Sequence, residues 1–194
     1  MKPLSPSRLY LALLHYPVKN KDGDIIASAI TNLDLHDIAR AGRTYGVGAY
    51  YVITPLFDQQ ELAGKIVSHW QEGVGAQFNP DRREALDLIR VRAYLSDAVA
   101  EIRKATGMPV HIVATSAADD PKRITFLDFR RMLEMTDRSY LLVFGTAWGL
   151  TGEFMESVDH VLVPIRGKTG YNHLSVRSAA AIILDRISGE QEIL

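Results

Sequence analysis

Three loops of this chain place glycine and other small residues directly after apolar runs typical of β-strands. They cover residues 114–117 (ATSA), 144–149 (FGTAWG) and 164–175 (PIRGKTGYNHLS). Glycine lets a backbone approach a ligand closely, and tryptophan offers a flat face for stacking. In an open α/β sheet, ligands bind beyond the carboxyl ends of the strands, where such loops lie. The pattern indicates a ligand site, although residues 144–149 alone would equally suit a plain turn with a buried tryptophan.

The loop at 164–175 is the most informative of the three. Pro164 ends the apolar run, two glycines follow, and Ser175 is placed to cap a helix that begins with small residues, SVRSAAAII. Small residues at a helix start allow close approach of a ligand or of a second subunit. A tightly packed internal helix is the other interpretation of this pattern.

The familiar nucleotide and metal motifs are missing. No Gly-x-Gly-x-x-Gly follows the first apolar run, and Gly167-Lys168-Thr169 lacks the upstream glycine of a phosphate-binding P-loop. The six histidines show no His-Glu-x-x-His spacing, and the chain has no cysteine. We therefore expect no catalytic metal, no disulfide and no thiolate nucleophile.

The elements that must position these loops alternate along the chain. The apolar runs predict strands at 9–15, 49–54, 110–115, 140–145 and 160–165. Helical periodicity predicts helices at 34–45, 58–70, 81–107, 125–135, 152–157 and 175–187. Strands that are apolar on both faces and separated by helices predict an α/β fold, a mostly parallel sheet with helices on both faces. We expect one domain over residues 1–194, with residues 79–107 as a possible helical crossover extension.

Composition limits the partners. The net charge is −1, so a polyanion partner would need positive charge concentrated on one surface. Two groups of basic residues are candidates, although acidic neighbours favour ordinary solvated helix faces for each group alone: Arg82, Arg83, Arg90, Arg92, Arg103 and Lys104, and then Lys122, Arg123, Arg130 and Arg131. The N-terminus shows no signal-peptide pattern and no apolar run is long enough to span a membrane, so we expect a cytoplasmic protein.

Three segments together resemble the signatures of SPOUT methyltransferases. Residues 164–176 (Pro-Ile-x-Gly, then Leu-Ser-Val) resemble the third signature, and residues 143–149 resemble the second. Residues 38–47 (IARAGRTYGV) are similar to the first signature, Ile-x-Arg-Thr-Ala-x-x-Phe-Gly-Val, and Asn32 lies upstream where these enzymes carry an asparagine. The likeness is greatest to a small bacterial group described only as SAM-dependent RNA methyltransferase.

This resemblance implies a Rossmann-like sheet with a C-terminal trefoil knot, S-adenosylmethionine (SAM) bound in the knot, a homodimer, and tRNA or rRNA as the substrate. It implies catalytic roles for Arg40, Asn32 and His173. Arg40 would orient or activate the acceptor, and His173 would contact it or accept its proton. A salt bridge of Arg40 with Asp37 and a structural role for His173 are the competing interpretations. The implied cofactor-binding residues are Thr115, Ser116, Phe144, Gly145, Thr146, Ala147, Trp148, Gly149, Leu162, Pro164, Ile165, Gly167, Tyr171, Asn172, Leu174 and Ser175.

The chain departs from the ribose-methylating branch of that superfamily. The branch has glutamate in the second signature, where Ala147 or Trp148 stands here, and asparagine in the third, where His173 stands. A base nitrogen and a ribose 2′-hydroxyl are therefore both possible acceptors. Three alternatives remain: a SAM-binding knotted protein of RNA or ribosome assembly without catalysis, a domain that binds another nucleotide or a flavin, and a methyltransferase for protein or small molecules.

Overall fold

The computed structural model describes residues 7–73, 75, 78–118, 123–135 and 137–190. Its strands are β1 (Leu9–Leu14), β2 (Val18–Lys19), β3 (Ile25–Ile26), β4 (Tyr50–Ile53), β5 (Ile89–Arg92), β6 (Val110–Thr115), β7 (Arg123–Ile124), β8 (Ser139–Gly145) and β9 (His160–Leu162). Its helices are α1 (Asn32–Thr44), α2 (Phe57–Gln71), α3 (Pro80–Leu86), α4 (Leu95–Thr106), α5 (Phe126–Glu134), α6 (Gly152–Ser157) and α7 (Val176–Ser188).

Seven strands form one parallel sheet in the order β5-β4-β1-β8-β6-β9-β7, and β2 and β3 form a separate antiparallel hairpin. The chain runs outwards from β1 to β4 and β5, and then crosses to the other side of β1 to build the remaining strands. The carboxyl ends of β8, β6 and β9 lie side by side, so the three loops singled out above meet at one edge of the sheet.

Side chains of the central strands alternate between two apolar layers. In β1, Leu9, Leu11 and Leu13 pack with helices α1, α2, α3, α5 and α7, whereas Tyr10, Ala12 and Leu14 pack with α4 and α6. Both faces of the sheet are therefore covered, which explains why β1 and β4 consist of buried apolar and tyrosine residues. The predicted α/β fold with helices on both faces is confirmed.

The predicted helix over 81–107 is wrong, because a strand interrupts it. Residues 80–86 and 95–106 are helical, but residues 89–92 (IRVR) form β5, which pairs with β4 at the edge of the sheet. The segment alternates apolar and basic residues with a period of two, which suits an edge strand with one face toward solvent. The extension is thus a helix-strand-helix unit.

The sequence also predicts an N-cap at Asp58 and a capping box of Asp81 with Glu84, and both helix starts differ in the structure. The predicted Asp81–Glu84 capping box is replaced by Asn79, whose side chain accepts a hydrogen bond from the Arg82 amide at 3.0 Å, with Pro80 in the first turn. Helix α2 begins at Phe57 without a side-chain cap, and Asp58 lies in its first turn rather than before it.

In the part of the chain that the structure describes, no helix combines the length and apolar character needed to cross a membrane. The trefoil knot stays a prediction.

Candidate active site

A cavity of about 800 Å³ lies at the carboxyl ends of β6, β8 and β9. Its wall includes parts of all three predicted ligand loops, the first turn of α7, and residues from the β2–β3 hairpin to the start of α1. Phe144, Leu150, Met155, Ile165 and Ile183 give it an apolar floor. A cavity of this size and character is typical of a site for a small molecule or cofactor.

The loop after β8 is a tight turn held by the hairpin. The Gly149 amide donates to the Thr146 carbonyl at 2.8 Å, and Ala147 (φ 50°) and Gly149 (φ 98°) both occupy the left-handed region. Lys19 exchanges two backbone hydrogen bonds with this turn, donating to the Gly149 carbonyl at 2.9 Å and accepting from the Trp148 amide at 3.0 Å. The hairpin therefore fixes the turn that forms one wall of the cavity.

The other two loops are joined to each other. The Asn172 side-chain amide donates to the Ala117 carbonyl at 3.0 Å, and the Thr115 hydroxyl donates to the Val143 carbonyl at 3.0 Å. Ser175 caps α7 by accepting from the Ser178 amide at 3.2 Å, so the first turn of α7 borders the cavity in a well-defined orientation. These bonds connect all three strand ends around one space.

A buried carboxylate links α1 to α7 at the cavity wall. Arg177 donates to Asp34 at 2.7 Å and lies 3.5 Å from Asp37, while Asp34 also accepts from the Thr31 hydroxyl at 2.7 Å. The Asp34 side chain is 8% exposed and that of Arg177 is 30% exposed. Because a buried carboxylate needs a partner, this pair holds the N-terminal ends of the two helices together.

Replacing Arg177 with methionine is expected to lower the free energy of unfolding by about 1–3 kcal/mol, because it leaves the Asp34 carboxylate buried without its charged partner. Chemical denaturation measures the change. The double variant Arg177→Met/Asp34→Asn is expected to regain most of the loss, since no buried charge remains. Equal stability of Arg177→Met and the wild type would contradict the structural role of the pair.

A second buried group, His15, stands behind the cavity wall. The imidazole is fully buried, and its Nδ1 lies 3.0 Å from the Ser28 hydroxyl, which is 2.5 Å from the Thr146 hydroxyl. Burial lowers the pKa of His15 to about 4, against the opposing effects of the Asp34 charge and of the backbone at Ala29 and Ser28. The imidazole is therefore neutral at neutral pH.

Most of the predicted site residues line the cavity. They are Thr115, Ser116, Phe144, Gly145, Thr146, Ala147, Trp148, Gly149, Pro164, Ile165, Asn172, His173, Leu174 and Ser175. Leu162, Gly167, Tyr171, Asn32 and Arg40 do not line it. Tyr171 contacts His173 edge to face with ring centroids 6.3 Å apart, so it supports a residue of the wall.

Arg40 lies on an exposed face of α1, while the other face of the helix packs on the sheet. The competing salt bridge with Asp37 does not form, because Asp37 pairs with Arg177. Within the described ranges the Arg40 guanidinium has no ion-pair partner. Its charge is thus available to a molecule outside this chain.

The sequence interpretation missed a wall of the cavity between β1 and α1. Lys19, Ser28, Thr31 and Asp34 line it, and Arg177 completes it from α7. These residues belong to no apolar run and to no motif. The sequence signal near them is the turn dipeptide Asp22-Gly23, but the strands on either side of it have only two residues each.

The predicted basic groups are largely engaged within the chain. Arg92 pairs with Glu101, Arg131 lies 4.0 Å from Asp128, and Arg82 stacks over the Trp70 ring at 4.5 Å. Arg130 donates to the Gly189 carbonyl at 2.8 Å. Lys122 lies outside the described residues. Several of the described members of each group therefore have partners within the chain.

Comparisons with known proteins identify the family of this chain. A protein family described as SAM-dependent RNA methyltransferase matches residues 8–189. A protein of Oleidesulfovibrio alaskensis named tRNA (guanine-N(1)-)-methyltransferase is 47% identical over 184 residues, which are 94% of this chain and 42% of that protein. An uncharacterized protein of Aquifex aeolicus is 38% identical over 179 residues, which are 92% of this chain and 87% of that protein.

Solved structures show the same fold at low sequence identity. A methylase family protein of Neisseria gonorrhoeae superposes with a TM-score of 0.64 at 16% identity, covering 98% of this chain and 85% of that one. The SpoU methyltransferase AviRb of Streptomyces viridochromogenes, solved with AdoMet, superposes with a TM-score of 0.55 at 18% identity, covering 96% and 58%. The match along residues 8–189 is decisive: this chain belongs to the SAM-dependent RNA methyltransferase family.

Proposed function

We propose that this chain transfers the methyl group of SAM to a nucleotide of RNA, with the cofactor held in the cavity at the ends of β6, β8 and β9. The observation that carries the proposal is that three loops predicted to bind the cofactor, far apart in the chain, border one cavity. When bound, SAM supplies a methyl group on a positively charged sulfur.

The residues of the cavity fit SAM. The apolar floor and the exposed Trp148 ring suit an adenine ring, and the first turn of α7 presents backbone amides that suit the carboxylate of the methionine part. Loops that contribute mainly backbone groups suit a cofactor whose positive charge disappears during the reaction. In the described part of the chain, no group of three or more His, Asp or Glu side chains could hold a metal ion.

Of the three proposed catalytic residues, only His173 borders the cavity. In this proposal its imidazole accepts a proton from the acceptor. Asn32 begins α1, and Arg40 stands further along that helix outside the cavity. In one copy of the chain, therefore, Arg40 does not contact a cofactor in its own cavity.

A homodimer would bring Arg40 of one subunit to the cavity of the other, and we include it in the proposal. Leu33, in the first turn of α1, and Leu174, just before α7, are 58% and 45% exposed, and a subunit interface that includes both would bury them. The trefoil knot belongs to the same proposal, supported by the α1–α7 packing that returns the chain end to the first helix. A cytoplasmic location follows from an RNA substrate.

Experiment must identify the RNA that is methylated and the atom that accepts the methyl group. The chain spans less than half the length of the Oleidesulfovibrio relative, so the guanine-N1 activity in that name need not reside in the shared segment. We therefore propose tRNA as the first substrate to test, with a base nitrogen or a ribose 2′-hydroxyl as the methyl acceptor. Methylation of tRNA and rRNA with labelled SAM, followed by digestion and mass spectrometry of the nucleosides, separates a ribose product from a base product. Methyl transfer to protein alone would contradict an RNA substrate.

Calorimetry with S-adenosylhomocysteine (SAH) tests the cofactor site. We expect micromolar binding to the wild type and at least a roughly 100-fold weaker affinity for Thr146→Arg, because the new side chain fills the cavity. Thr44→Arg is the matched control, since Thr44 is exposed at the far end of α1, and its affinity should equal that of the wild type. Tight binding of NAD or a flavin without SAH binding would contradict the proposal.

A further inference from the structure

A chain of hydrogen bonds runs from a buried histidine to two hydroxyl groups of the cavity wall. His15, which follows β1, approaches Ser28 through Nδ1 at 3.0 Å, and the Ser28 and Thr146 oxygens are 2.5 Å apart. The Thr146 hydroxyl also lies 2.9 Å from the Leu14 carbonyl. Ser28 and Thr146 border the cavity, whereas His15 stands behind them.

The chemistry of these groups shows where each hydrogen of this series of hydrogen bonds lies. A carbonyl oxygen only accepts, so the Thr146 hydroxyl donates its single hydrogen to Leu14. The hydrogen between the two hydroxyls must then come from Ser28. Ser28 has no second hydrogen, so it accepts from His15, and Nδ1 must carry a proton.

The remaining nitrogen of His15 agrees with this assignment. Nε2 is buried and has no hydrogen-bond partner among the residues that the structure describes. A proton on Nε2 instead of Nδ1 would turn the Ser28 hydrogen toward His15. Thr146 would then have to turn its hydrogen from the Leu14 carbonyl to Ser28, and the buried Nε2–H would have no acceptor among the described residues, so this tautomer loses one hydrogen bond and leaves a donor unpaired.

We propose that His15 is a positioning residue whose Nδ1–H tautomer makes the Ser28 and Thr146 hydroxyls pure acceptors for an N–H group of SAM. Each hydroxyl oxygen has two lone pairs, and the hydrogen bonds described above occupy one of them on Ser28 and one on Thr146. The other lone pair is left for a donor in the cavity. SAM carries two such donors, the α-ammonium group and the adenine amino group. The inference deepens the proposed cofactor site and rests on it.

The tautomer is measured directly by nitrogen-15 NMR of the histidine rings in the cofactor-free protein. We expect His15 to show a protonated Nδ1 and an unprotonated Nε2, with no change between about pH 6 and about pH 8. Comparison with His15→Asn identifies its signals among the six histidines. An Nε2–H tautomer would overturn the inference, whether or not the protein binds SAM.

Two variants test the effect on the ligand. His15→Phe keeps a ring but removes the donor to Ser28, and we expect SAH to bind roughly tenfold more weakly. His15→Asn places an amide N–H near the position of Nδ1 and should stay within about threefold of the wild type. Should His15→Phe fail to fold, Ser28→Ala replaces it, and the His15 signals should then shift toward the Nε2–H form.

5′-Methylthioadenosine, which lacks the amino-acid part of SAH, distinguishes the two donors. Weaker binding of both ligands to His15→Phe would place the donor on the adenosine part, and weaker binding of SAH alone would assign the α-ammonium group. Unchanged affinity of a folded His15→Phe for both ligands would overturn the inference and leave the proposed function intact. Failure of the wild type to bind SAH would overturn the proposed function itself.

Discussion

Replacing Arg40 with alanine is expected to lower the rate of RNA methylation roughly 100-fold or more and to leave the affinity for SAH unchanged. Arg40 is exposed, does not border the cavity of its own subunit and forms no ion pair within the described part of the chain, so neither folding nor that subunit's cofactor site depends on it. Its guanidinium is placed to meet charge on the acceptor or on the RNA backbone. Single-turnover methylation and calorimetry measure the two quantities.

Arg43→Ala is the matched control for this prediction. Arg43 lies on the same helix and is also exposed, but it pairs with Glu84 within the chain. Its removal should change the methylation rate by no more than about twofold, because an exposed ion pair adds little to the stability of the fold. Full activity of Arg40→Ala would contradict a catalytic role. A loss of SAH binding would show instead that Arg40 acts on the cofactor site.

Gly145→Ala is expected to weaken SAH binding at least roughly tenfold and to lower the free energy of unfolding by about 1–3 kcal/mol. A β-carbon at this position would lie 2.8 Å from the Leu150 amide nitrogen and 3.0 Å from the Gly149 carbonyl carbon. Both neighbours are backbone atoms, so the turn after β8 must move, and that turn forms a wall of the cavity. Calorimetry and chemical denaturation measure the two losses.

Gly152→Ala serves as the control for Gly145→Ala. Gly152 also borders the cavity, but a β-carbon there would meet no atom within 4 Å, and its backbone is not in the left-handed region. We expect its SAH affinity and stability to stay near those of the wild type. Tight SAH binding by Gly145→Ala would show that the turn tolerates displacement and that its exact position does not determine affinity.

The most accurate sequence predictions concern the central strands and the loops that follow them. Strands β6 and β8 were predicted to within one residue: β8 is buried along almost its whole length and nearly all apolar, and β6 has a run of apolar residues from Ile112 to Ala114. The prediction failed at residues 89–92, where the apolar positions suit a helix and a strand alike. Pairing with β4 makes this segment a strand. The paired residues are about 40 positions apart in the sequence, so no local pattern shows the contact.

By itself, the sequence determined the α/β class, the three loops after β6, β8 and β9, and the resemblance that led to the family. These features are local, since they depend on periodicity, turn residues and short motifs. Only the tertiary structure decided that Asp34 meets Arg177, that Lys19 holds the turn at Gly149, and that His15 reaches Thr146 through Ser28. The parallel sheet brings these distant segments together because its order places the carboxyl ends of β1, β8, β6 and β9 at one edge.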